Sequence, residues 1–167
     1  GIPQILRNFA AYKRLVEIYP SDCNAIEFCQ GTMAEMQDDV DIYDKIRYFG
    51  SRNKILYVHF RNVSGTVPAF REEFINTGYV DMFKAMEIYY DVGFASFFID
   101  DHVPQTFQDT VWGHRGRAFA NGYIQDCKTA TGVPFRLVAA PVQYDGKPAP
   151  VGRAPEFNEH GDEILGE

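Results

Sequence analysis

A thiol, an imidazole and a carboxylate, on Cys29, His59 and Asp101, each stand at or just past the end of a short apolar run. Together they make a mixed S/N/O set suited to a divalent transition metal such as Mn, Fe, Co or Zn. Three protein ligands leave coordination positions open for substrate and water, which is what separates a catalytic ion from a structural one. The intervals between them are long, as whole strand–helix units impose and a local finger or knuckle does not. Each residue also has a plainer alternative. A free cysteine is often a small buried hydrophobe, a histidine closing an apolar strand can be a hydrogen-bonded core residue, and Asp101 can cap the next segment. Their shared topological position favours the metal.

Groups able to handle a polyhydroxy acid surround this set. Arg61 lies two residues beyond His59 and shares its side if the strand persists, and its planar fork suits a carboxylate. Asn62 adds amide donors and an acceptor, and His102, next to Asp101, can shuttle a proton near neutral pH. A solvated loop is the alternative for Arg61 and Asn62, and a loop cap for His102. The stretch from Trp112 to Arg117 carries further polar groups, although basic residues at a helix entrance are usually exposed surface.

Three repeats of strand, loop and helix position these residues. Apolar spacing predicts a helix over Ile5 to Ile18, closed by Pro20, and another ending at Gly50 with Ile42, Ile46 and Phe49 inside. A third runs from Val80 to Tyr90, with Met82, Phe83, Met86 and Tyr90 at helical spacing, and stops at Gly93. Ala25 to Cys29, Ile55 to Phe60 and Ala95 to Ile99 read as buried strands. Near-continuous apolar strands alternating with helices imply a parallel α/β sheet, whose functional groups collect where strands end. After Asp126 the character shifts to a Pro-rich, acidic-ended tail, with Phe135 to Val142 alone resembling a strand. Such a tail reads as a docked or flexible extension rather than part of the sheet.

The chain has 167 residues, 46% of them hydrophobic and 23% charged, which is one domain's worth of globular sequence. A net charge of -7 without a basic stripe disfavours nucleic acid, and no apolar run is long enough for a membrane span. Cys23, Cys29 and Cys127 are sparse and lack CxxC spacing, so a reducing cytoplasm fits better than a disulfide scaffold. The opening residues show no signal peptide, and the chain reads as starting within a longer protein.

The segments IEFCQGTMAEM, YVHFRNVSGTVPAFRE, DDHVP and WGHRGRAFANGYI resemble the mannonate dehydratase family of the hexuronate pathway, over about residues 1–125. The resemblance implies a (β/α)8 barrel, of which the chain would supply the last three units. It further implies a Mn²⁺ or Fe²⁺ cofactor and conversion of D-mannonate into 2-keto-3-deoxy-D-gluconate. By that resemblance Cys29, His59 and Asp101 are the metal ligands, His102 serves in proton transfer and Arg61 in substrate binding. The family's further histidine ligand has no counterpart here, and Trp112 and His114 occupy the region of a family tyrosine. Residues 132–165 resemble the end of formyl-CoA and carnitine-CoA transferases, which places a domain division between 1–126 and 127–167. A wedge of a barrel leaves strand edges unpaired, so the isolated chain is expected to be marginal or to pair with a second copy. The competing expectations are a non-enzymatic assembly module and, from the tail alone, a CoA-transferase-related protein.

Overall fold

The computed structural model describes residues 5–132 together with Arg136–Leu137, Gln143–Tyr144 and Lys147–Pro148. Along the chain run α1 (Phe9–Ile18), β1 (Ile26–Cys29), α2 (Gln30–Glu35), α3 (Ile42–Gly50), β2 (Ile55–His59), β3 (Asn62–Val63) and β4 (Glu72–Glu73). They are followed by α4 (Met82–Asp91), β5 (Phe97–Ile99), α5 (His114–Thr131), β6 (Arg136–Leu137), β7 (Gln143–Tyr144) and β8 (Lys147–Pro148). Asx caps open three of the helices. The Asn8, Asp41 and Asp81 side chains accept the backbone N–H of Ala11, Asp44 and Lys84. At the far end of α4, Gly93 takes φ +73°, the left-handed turn that glycine makes without a Cβ penalty.

The sheet is parallel, in the order β1-β2-β5-β6. Three of its strands are those expected. The fourth lies in the Phe135 to Val142 stretch that reads as strand-like and corrects only the expectation that the tail stays out of the sheet, because Arg136–Leu137 pairs in parallel with Phe97–Phe98. The physical reason is α5, an eighteen-residue helix that carries the chain back across the sheet as a parallel crossover requires. The expected division after Asp126 falls inside this helix. β7 and β8 form a separate antiparallel pair, and the rest of the Phe135 to Val142 stretch and of the tail lies outside the described residues.

Alternation along the strands gives the sheet two unlike faces. Phe28, Val58 and Phe98 are fully buried, and with Phe49, Phe60, Tyr89 and Phe94 they form an aromatic core against α3 and α4. On the opposite face the register sets Glu27 beside Tyr57 and Phe97, and Cys29 beside His59 and Ile99. That face stays open: Glu27 has a 39% exposed side chain and Phe97 is 43% exposed. Helices thus cover one side of the sheet among the described residues. Two helices bury less than their pattern implied. α1 begins at Phe9 rather than at the expected Ile5, which is exposed ahead of it, and within it Val16 is buried while Ile18 is exposed; in α4 Phe83 and Tyr90 face outward while Ala85, Ile88 and Tyr89 point in.

The start of α5 depends on a side chain well before it. Gly113 at the N-cap offers no side-chain bond, and the Asp109 carboxylate instead accepts from the backbone N–H groups of Thr106, Thr110, Arg115 and Gly116. Desolvation opposes its charge, yet these four bonds prevail and hold the carboxyl well below the usual range. A depressed carboxyl pKa stabilises the fold above the unfolded-state value, and that stabilisation is lost as pH falls through the folded-state value. Asp109→Ala is therefore expected to lower the thermal midpoint at neutral pH, with the gap to the parent chain closing on acidification. A gap that stays constant down to strongly acid pH contradicts this account.

Candidate metal centre

Cys29, His59 and Asp101 converge because their strands are neighbours. Cys29 ends β1 opposite His59, the last residue of β2, which in turn pairs with Ile99 two residues before Asp101. Asp101 itself adopts φ +51°, a left-handed conformation that aspartate tolerates better than most residues. Its Oδ2 lies 3.3 Å from His59 Nδ1 and 3.8 Å from Cys29 Sγ. Donors about 2.0–2.3 Å from one divalent ion are separated by distances of this order, so the set fits such an ion in both chemistry and spacing. Glu27 joins them: it, Cys29 and His59 each offer a ligand atom, all within 4.8 Å of one another. The three cysteines are all free, and Cys127 is set apart in α5, where burial pushes its thiol up to about 11.

Arg61 lies beside the set but does not present an open fork. Only 5% exposed, it donates from Nη1 to both oxygens of Glu72, at 2.6 and 2.8 Å, and from Nη2 to Thr32 and Glu35, at 3.1 and 3.3 Å. Its Nε lies 3.3 Å from both Cys29 Sγ and Asp101 Oδ2. Burial opposes the charge, but Cys29, Glu72 and Glu35 outweigh it and raise the guanidinium pKa. Every arm of the fork is engaged by protein, so Arg61 acts as the clasp of the site where sequence suggested a substrate clamp. Gly31 makes room for it, since a Cβ there would sit 2.6 Å from three atoms of the Arg61 side chain. Asn62 also differs from expectation. It is 1% exposed, its amide nitrogen donating to the Ile75 and Val80 carbonyls and its oxygen accepting from the Val63 and Val80 N–H groups. This amide pins the loop before α4 rather than facing the open side.

His102 is the accessible polar group. Its side chain is 63% exposed, with Nδ1 3.4 Å from Glu72 Oε1 and Nε2 3.7 Å from Asp101 Oδ1. A hollow of about 200 Å³ opens beside it, bounded also by Gln105, Trp112 and Arg117. A larger hollow of about 480 Å³ follows the apolar side of α1 and holds none of these groups, so size alone does not locate the chemistry. Four carboxylates and hydroxyls were not anticipated as part of the site: Glu27, Thr32, Glu35 and Glu72. Burial pushes the Glu35 carboxyl up, with Arg61 opposing. Glu27 carried a readable signal, standing two residues before Cys29 in an alternating strand and hence on the same face. Glu72 arrives through the β3–β4 pairing, which no local pattern announces.

The model of the D-mannonate dehydratase (UxuA) family matches residues 1–133. The chain belongs to that family. Mannonate dehydratase 2 of Halalkalibacterium halodurans is 32% identical over 120 residues, which is 70% of this chain and 33% of that protein. The mannonate dehydratase of Brachyspira hyodysenteriae is 35% identical over 131 residues, 75% of this chain and 36% of that one. The chain thus spans about a third of the length of these curated relatives. A crystal structure of mannonate dehydratase from Streptococcus suis serotype 2 superimposes with a TM-score of 0.66 at 24% identity, covering 80% of this chain and 41% of that one, and so shares its fold. The UxuA match ends at residue 133.

Proposed function

We propose that this UxuA-family chain is part of a metal-dependent hydro-lyase that removes water from D-mannonate to give 2-keto-3-deoxy-D-gluconate, and that its sheet is a wedge of a (β/α)8 barrel. The observation that carries the reading is the approach of Cys29 and His59 to a single oxygen of Asp101. Cys29, His59 and Asp101 would hold a Mn²⁺ or Fe²⁺ ion, which when bound supplies Lewis-acid stabilisation of the negative charge that develops as the proton beside the substrate carboxylate leaves. His102 moves a proton through its exposed imidazole, with Glu72 Oε1 facing its Nδ1. Arg61 keeps Glu72, Glu35 and Asp101 in place. The sugar acid approaches from the open face and the hollow beside His102. A cytoplasmic setting suits an enzyme with free thiols, one of them a ligand.

Two measurements test the reading. Mn²⁺ uptake by the chain should fall in Cys29→Ala, His59→Ala and Asp101→Ala, and unchanged uptake in all three removes the centre. In a chimera, residues 1–133 replace the matching third of the Halalkalibacterium halodurans relative. It should dehydrate D-mannonate, and His102→Asn should slow it by at least about 100-fold. A chimera that folds and binds Mn²⁺ yet shows no turnover contradicts the assigned reaction.

A further inference from the structure

We propose that Glu27 is a fourth donor to the ion of this centre, completing a set with Cys29, His59 and Asp101. The inference rests on the metal reading above and extends it to a residue that the sequence motifs did not single out.

Geometry gives the first support. Glu27 Oε1 lies 2.9 Å from His59 Nδ1, and the same nitrogen is 3.3 Å from Asp101 Oδ2. An imidazole nitrogen has a single N–H or a single lone pair, so it cannot serve two carboxylates equally well. A cation placed among the three atoms serves all of them. Glu27, Cys29 and His59 offer atoms within 4.8 Å of one another, and Asp101 Oδ2 stands 3.8 Å from the sulfur. Adjacent donors on one ion with bonds of about 2.1–2.3 Å lie roughly 3 Å apart and opposite donors roughly 4.4 Å apart, which is the range of the 2.9, 3.3 and 3.8 Å separations.

Charge gives the second support. Arg61 answers Glu35, Glu72 and Asp101. Among the described residues Glu27 has His59 as its sole ion-pair partner. Its cross-strand neighbours are Tyr57 and, one strand further, Phe97. The Glu27 carboxylate, 39% exposed on the open face of the sheet, is accessible to a cation entering from that side. The strand pattern brings it there, since Glu27 and Cys29 are two residues apart on one face of β1.

The alternative is that Glu27 merely orients His59. Replacement by glutamine separates the two, because an amide oxygen still accepts the imidazole N–H but is a poor ligand. If Glu27 is a donor, Glu27→Gln and Glu27→Ala weaken Mn²⁺ binding alike, on the order of 100-fold, read from the EPR signal of free aqueous Mn²⁺. In the Co²⁺-loaded chain both variants should alter the d–d bands and keep the thiolate-to-cobalt charge-transfer band. Circular dichroism and the thermal midpoint without metal should match the parent chain. Glu27→Gln binding Mn²⁺ within about twofold of the parent, while Glu27→Ala loses it, reduces Glu27 to a positioning residue and overturns the proposal. Failure of the underlying reading looks different: the parent chain takes up no ion, or Cys29→Ser and Asp101→Asn bind as the parent does.

Discussion

Arg61→Met is expected to destabilise the chain by about 3 kcal/mol, read as a lower urea midpoint with an unchanged slope. The guanidinium is almost wholly buried and answers three carboxylates, two of them side chains only 16% and 17% exposed. Removing it leaves Glu35, Glu72 and Asp101 facing one another with only the imidazoles of His59 and His102 nearby. Deleting one partner of a buried ion pair typically costs about 3–5 kcal/mol. The lower end applies here because the Glu72 side chain is 31% exposed and can recover hydration. Arg61→Lys should lose roughly half as much, since a single ammonium keeps the charge but cannot span Glu72, Thr32 and Glu35 together. A loss below about 1 kcal/mol in Arg61→Met would mean that water already screens these groups, and the clasp would then have no structural weight.

Tyr89→Ala is expected to cost about 4 kcal/mol, enough to threaten folding of a small domain. Tyr89 is fully buried and meets Phe28, Phe60 and Phe98 edge-on, at centroid distances of 6.3, 6.2 and 5.1 Å. Its loss removes a large, mostly apolar side chain and opens a cavity among rings contributed by β1, β5 and the residue just past β2. Tyr89→Phe keeps the ring and should cost about 1 kcal/mol, because the hydroxyl donates to Gln30 Oε1, which would be left buried without that donor. Gln30 follows Cys29 directly, and its Nε2 reaches Met82 Sδ. The pair of variants therefore separates what the core contributes from what fixes the chain just past the sulfur. Equal, small effects in both would show that α4 is held by other contacts.

Strands that alternate or run apolar for four or five residues were legible at Ile26–Cys29, Ile55–His59 and Phe97–Ile99, as were helices α3 and α4. α2 was not, because its six residues begin with Gln30 and Gly31 and show no apolar stripe. For α5 the sequence marked only an entrance, at Trp112 to Arg117, and not its length or inner face. Its buried positions are Gly116, Ala120, Ile124 and Cys127, helically spaced but mostly small. β6 falls within the Phe135 to Val142 stretch that reads as strand-like, but its place in the parallel sheet was not legible inside a Pro-rich stretch. Proline and acidic content predicted an extension, and the crossover length of α5 brought the strand into the sheet instead.

The amino-acid order alone determined that a thiol, an imidazole and a carboxylate sit at strand ends, and that those strands are parallel. These are consequences of local periodicity and of the chain length a crossover needs. Only the tertiary structure decided what each side chain faces. The Arg61 fork turns to Glu72 and Glu35, Asn62 turns into its own loop, and Glu27 reaches His59. Such pairings depend on strand register and on loops closing between residues far apart in the chain. A period of two or of 3.6 residues carries no record of either.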